Sequence, residues 1–219
     1  MESVLDRVIK QNTENINLLK TKDYNIFSVL QIQSKEVLIC RMIADLLNPR
    51  GQHGAGAEYL KIFLRDCLGM EKMDTKLADQ AIVTAEYAID DERRIDIVIE
   101  IGSYFLPIEV KIYAADQKSQ CFDYYQYAKR RDAQAKVYYL TLDGHRPGKD
   151  STSSGNRSVT EEDIVCLSFR EHILNWLKAC KNCGNTGMIP ILEQFIHNIE
   201  QISGYTSEKV RNMVIDVDA

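Results

Sequence analysis

The chain has 219 residues, 45% of them hydrophobic and 27% charged, with a formal net charge of −5. Such values belong to an ordinary globular protein with a sizeable core, and they argue against a uniformly basic nucleic-acid surface without excluding a local basic groove. No apolar stretch approaches the length of a membrane span, and Met1-Glu2-Ser3-Val4-Leu5-Asp6 lacks the basic and apolar regions of a signal peptide, so a cytoplasmic protein without membrane contact is expected.

In chain order, Val4, Leu5, Val8, Ile9, Ile16, Leu18 and Leu19 carry helical spacing. Ser34 reads as the N-cap of an amphipathic helix with Val37, Leu38, Met42, Ile43, Leu46 and Leu47 on its apolar stripe. Asn48-Pro49-Arg50-Gly51 ends it, and a second helix is predicted over Ala57 to Leu68. Strands follow at 81–89, 94–101 and 104–112, then a helix over 116–131 with Asp116 as its candidate cap. Further strands are predicted at 136–142 and 163–168, and helices at 170–181 and 189–202. Residues 143–160 lack apolar periodicity and read as a long loop. The order α-α-β-β-β-α-β-β-α-α implies one mixed sheet with helices on its faces.

Six cysteines, mostly inside apolar runs, read as reduced thiols. Cys180 and Cys183 have zinc-like spacing, but no second such pair exists to complete a site.

The most informative segment is the pair of β-rich runs Arg94–Ile101 and Tyr104–Ile112 around Gly102-Ser103, which suits a two-residue turn with glycine first. That turn sets Ile101 opposite Tyr104 and, counting back, Asp96 opposite Glu109, with Lys111 on the same face. Two carboxylates directly opposite repel one another. Kept together beside an ammonium, they read as a divalent-metal site.

These residues resemble the PD-(D/E)XK nuclease superfamily, whose pattern is an acid on one strand and E-x-K on the next: here Asp96, then Glu109-Val110-Lys111. Ile95 stands where the family pattern has proline. Leu46-Leu47-Asn48-Pro49-Arg50-Gly51-Gln52-His53-Gly54, Arg94-Ile95-Asp96-Ile97 and Asp116-Gln117-Lys118-Ser119-Gln120 resemble segments of one nuclease-like branch, and Gln120…Tyr124 has the Q-x-x-x-Y spacing of RecB-type nucleases. The resemblance implies a single α/β restriction-endonuclease-like domain over 1–219, with an α-β-β-β-α-β core at about 34–168 and helical additions at both ends. It also implies a metal-dependent nuclease that cuts nucleic acid, DNA in preference to RNA, with Mg²⁺ or Mn²⁺ as cofactor. The alternative is an inactive module that grips nucleic acid or a partner on the same fold.

On this reading Asp96, Glu109, the Val110 carbonyl and Glu36 hold the metal, one or two ions in number. Lys111 orients water and stabilises transition-state charge. Gln120 and Tyr124, one helical turn apart, would hydrogen-bond a phosphate or base. Plainer alternatives stand beside each role: an ion pair for Lys111, a helix-dipole acid for Glu36, and amphipathic packing for Tyr124. His53, Arg93, Arg94, Lys118, Lys129, Arg130, Arg131, His145, Arg146 and Lys149 are candidate phosphate contacts, drawn from this chain alone or from a homo-oligomer that assembles a wider basic face.

Overall fold

The computed structural model describes residues 24–71, 73–183 and 185–204. The helical spacing read between Val4 and Leu19 lies outside the described residues. Four helices, α1 (Ile26–Val29), α2 (Glu36–Leu47), α3 (Glu58–Asp66) and α4 (Thr75–Ala78), precede the strands β1 (Ile82–Ala88), β2 (Arg94–Ile101) and β3 (Tyr104–Lys111). Helix α5 (Gln120–Arg131) leads to β4 (Val137–Thr141). A short helix α6 (Lys149–Thr152) and the two-residue strands β5 (Ser153–Ser154) and β6 (Arg157–Ser158) come before β7 (Ile164–Ser168). A π turn over Phe169–Ile173 then runs into α7 (Leu174–Lys181), and α8 (Ile189–Ile202) closes the described chain.

The main sheet has the order β1-β2-β3-β4-β7, antiparallel across β1, β2 and β3 and parallel across β3, β4 and β7. Helix α5 makes the crossover that two parallel neighbours require. Apart from Tyr104, every residue of β3 is buried, as expected for a strand covered on both faces. On one face Ile97, Ile99, Ile101, Ile108 and Val110 share a core with α2, α3, α7 and α8. Trp176 anchors that core: its ring meets Phe63 edge-on and its indole N–H donates to the Tyr59 carbonyl at 2.8 Å. On the other face Ile95, Val98, Phe105 and Val137 meet Tyr124 and Ala128 of α5.

The turn after α2 explains its glycine and histidine. The Asn48 carbonyl accepts from the Gly51 N–H at 2.8 Å, and the Asp45 carboxylate accepts from the Gln52 N–H at 3.1 Å. His53 is 1% exposed and stacks on Tyr59, with Nε2 3.0 Å from the Asn48 carbonyl and Nδ1 accepting from the Ala55 N–H. A Cβ on Gly51 would lie 2.2 Å from the Asp45 carbonyl and 2.6 Å from the His53 ring. Gly51→Ala is therefore expected to destabilise the protein by about 2–3 kcal/mol, read as a lower midpoint in chemical denaturation.

Three expectations need correction. Ser34 is not the cap of α2; Lys35 holds that position without a side-chain bond, and Glu36 supplies the favourable charge of the first turn. Asp116 does not cap α5, because its carboxylate is taken by the Tyr139 hydroxyl and the Gly148 N–H, each at 2.7 Å. The helix instead starts after Ser119, which sits in the left-handed region at φ 58°. The segment 143–160 is not a featureless loop. It contains α6, β5 and β6, and it is tied to the start of α5 by Ser119 N–H to Asp150 O, Ser119 Oγ to Ser153 O and Cys121 N–H to Ser151 Oγ.

Candidate metal centre

The β2–β3 hairpin turns at Gly102, whose φ of +56° glycine adopts without strain, and its register runs from Ile101↔Tyr104 to Ile97↔Ile108. Continued by one step, that register sets Asp96 against Glu109. The ladder stops there, and the Asp96 carboxylate itself accepts the Val110 N–H at 2.8 Å. The β1–β2 pairing also skips this position: Glu86, across from Asp96, has φ +53°. Both strands change face at this step. Val83, Ala85, Ile97 and Ile99 join the α2 side of the sheet, whereas Tyr87, Ile89 and Ile95 join the α5 side. Glu86 itself pairs with Arg41 of α2 at 2.7 Å, so its side chain is committed to a surface ion pair.

Glu109 is 1% exposed. Its Oε1 is 2.5 Å from the Lys111 ammonium, and its Oε2 is buried without a donor among the described residues. The Asp96 carboxylate lies against it. Burial, and then the charge of Asp96, push the Glu109 carboxyl well above its usual range. Asp96 is also raised by burial, against the lowering effect of the Val110 N–H. For Lys111 burial disfavours the charged form, but Glu109, Asp96 and Glu36 together outweigh it and the ammonium is held. The half-buried Glu36, from the first turn of α2, accepts the Ile112 N–H at 2.8 Å just beyond β3. Beneath the group lies the buried thiol of Cys40, pushed far up first by burial and then by Asp96, Glu36 and Glu109.

Among the described residues no three His, Cys, Asp or Glu side chains stand ready to hold one ion. Magnesium does not need three: it binds through one or two carboxylates, keeps several waters and accepts carbonyl oxygen. A buried, acceptor-only oxygen on Glu109 beside a second carboxylate lacks a proton or a cation, and a hard divalent ion suits that donor set. Asp96 and Glu109 could hold it directly, with the Val110 carbonyl between Glu109 and Lys111. Glu36 could reach it through water.

Gln120 and Tyr124 meet each other beside the acidic centre. The Gln120 amide donates to the Tyr124 hydroxyl at 3.1 Å, and that hydroxyl donates to the Arg94 carbonyl, two residues before Asp96. The Tyr124 ring packs among Ile95, Val98 and Phe105, while burial, followed by the charges of Glu109 and Asp96, raises the phenol. Gln117 extends the chain by donating its N–H to Gln120 and accepting from Arg93 at 2.8 Å. The pair thus fastens the start of β2 to α5. Tyr124→Phe is expected to cost about 1–3 kcal/mol in thermal unfolding, because it removes both the bond from the Gln120 amide and the bond to the Arg94 carbonyl.

Several expected phosphate contacts are committed elsewhere. His53 is buried in its turn, which corrects its reading as a ligand contact. Arg93 is paired with Asp123 and Arg131 with Glu100. Lys129 and Arg130 lie over the rings of Tyr125 and Tyr127, while His145 bonds Asp143 and Arg146 reaches toward Glu161. Arg94, Lys118 and Lys149 remain exposed without an ion pair among the described residues.

A mixed five-stranded sheet flanked by helices, with an acid on one hairpin strand and E-x-K on the next, defines the restriction-endonuclease-like α/β class. The chain belongs to the PD-(D/E)XK nuclease superfamily, whose family model matches residues 24–198. No curated protein matches it. No helix among the described residues is long and apolar enough to cross a membrane.

Proposed function

We propose that this protein is a divalent-metal-dependent nuclease, a single domain over 1–219 acting in the cytoplasm, that hydrolyses phosphodiester bonds of DNA in preference to RNA. One observation carries the reading: the buried Glu109 carboxylate, with one oxygen on Lys111 and the other without a donor, stands against Asp96. Mg²⁺ or Mn²⁺ bound there, one ion or two, would polarise the phosphate and make water a better nucleophile. Asp96, Glu109 and the Val110 carbonyl would hold the ion, and Glu36 would reach it through water. Lys111, fixed by Glu109, positions the attacking water and offers positive charge to the phosphoryl oxygens as they gain charge in the transition state. Gln120 and Tyr124 keep β2 in place beneath Asp96.

The test is incubation of the purified protein with linear, circular and single-stranded DNA, and with RNA, in EDTA, Mg²⁺ and Mn²⁺. Metal-dependent cleavage of DNA is expected. Tight binding with no cleavage under any of these conditions would replace the nuclease reading with that of an inactive nucleic-acid-binding module.

A further inference from the structure

Immediately beyond β3 the chain carries an exposed aromatic side chain. Tyr113 is 70% exposed, and neither its ring nor its hydroxyl makes a hydrogen bond or ring contact among the described residues. Its backbone is nonetheless held. Ile112, one residue earlier, is buried and gives its N–H to Glu36, and Lys111 precedes it. Ala114 and Ala115 on the other side are exposed and too small to shield the ring. Across the Glu36–Ile112 bond a surface groove opens, lined by Leu30, Ile32, Lys35, Glu36, Val37 and Leu38. Leu30, Val37 and Leu38 are 58%, 44% and 39% exposed. An apolar ring and an apolar groove therefore flank the hydrogen bond that closes the acidic centre.

Ionic contacts are scarce around this centre. The net charge is −5, and Arg41 and Arg93 are already paired, which leaves Arg94 as the exposed arginine beside Asp96 in sequence. A ligand that leaned only on phosphate neutralisation would find few partners. Stacking of a base on an aromatic ring adds affinity that does not depend on charge. A base inside a duplex is already stacked on its neighbours and cannot lie on such a ring unless it leaves the helix.

Resting on the nuclease reading, we propose that Tyr113 is a stacking platform for an unpaired base next to the scissile phosphate, with the Leu30/Val37/Leu38 groove taking the neighbouring base. The substrate class is single-stranded DNA, or DNA with an unpaired end or flap at the cut. Lys35 contacts the backbone between the two.

The test is fluorescence anisotropy of labelled single-stranded and duplex oligonucleotides in Ca²⁺, which takes the same carboxylate oxygens, with the full-length protein and its Tyr113→Ala, Tyr113→Phe and Tyr113→Trp variants. Tyr113→Ala is expected to weaken single-strand binding about tenfold, while the Phe and Trp variants keep it and duplex binding changes little. The loss should persist at high salt, because stacking releases no counterions. Equal single-strand affinity of wild type and Tyr113→Ala overturns the proposal, as does an equal loss on both substrates. If the wild type cuts DNA in Mg²⁺ while either of those results holds, the stacking proposal alone fails. If it neither binds nor cuts any of the oligonucleotides, the nuclease reading fails with it. The exposed ring supports no core packing, and an unchanged melting temperature confirms that the variants fold.

Discussion

Replacing Lys111 with alanine is expected to lower divalent-dependent cleavage by about 10²–10³-fold, the usual cost of losing one electrostatic donor to a transition state. The ammonium touches Glu109 at 2.5 Å and is 7% exposed, so it is fixed before substrate arrives. An interaction made mainly in the transition state lowers turnover without a matching loss of ground-state binding. Calorimetry with Mn²⁺ should therefore show affinity for the ion largely kept, since Asp96 and Glu109 remain. Asp96→Ala is the companion: it removes a ligand and should lose both ion binding and cleavage. If Lys111→Ala cuts DNA at the wild-type rate, Lys111 is not the catalytic lysine and the cleavage has to be assigned to another site.

The second large effect is on stability in EDTA. Glu109→Gln is expected to stabilise the metal-free protein at neutral pH by about 1–3 kcal/mol, the range for relieving a buried polar atom of its missing partner. At this chain length each kcal/mol raises the melting temperature by about 2–4 °C. A glutamine amide can still accept from Lys111, and its NH₂ presents a donor to Asp96 where the wild type presents a second acceptor. The sign of the pH dependence follows from the raised carboxyls. Between the ordinary glutamate value of 4.5 and its raised folded value, the folded state holds a proton that the unfolded chain has lost. Stability is then full below 4.5 and declines as pH rises through the raised value, with Asp96, raised from 3.8, adding to the same trend. Glutamine does not titrate, so most of that decline should vanish in the variant. Thermal melts in EDTA from pH 4 to pH 9 check this, and an unchanged slope would mean that Glu109 is not the group responsible.

Much of this architecture could be read from the residues, because it rests on side chains that repeat. The β-branched runs marked β1, β2 and β3 to within a residue, and the apolar spacing of Ile189, Leu192, Phe195, Ile196 and Ile199 gave α8 its bounds. Counting back from Gly102-Ser103 reached Asp96 and Glu109 because a two-residue turn allows only one register. What escaped the reading depends on partners distant in sequence. Asp116 looks like a helix cap until Tyr139 and Gly148 come to it from β4 and the loop beyond. His53 looks like a ligand contact until both ring nitrogens prove to be spent on the backbone of its own turn. Gln120 and Tyr124 share a helical face as expected, but that face meets the Arg94 carbonyl, and no local pattern announces a contact between a tyrosine and a carbonyl thirty residues away. Glu86 gives no hint of its left-handed backbone, since glutamate seldom adopts it.

The break at Glu86 bears on how the molecule behaves in a crowded solution. Strand β1 lies at the rim of the sheet, where an unbroken run of free amides and carbonyls would invite another chain to add itself as a sixth strand. Because β1 reverses its faces halfway along, a straight newcomer could match the first half or the second, but not both. The irregularity that frees Asp96 from the ladder thus also blunts the rim against aggregation. Straightening Glu86 to suit a longer strand would therefore lose both at once.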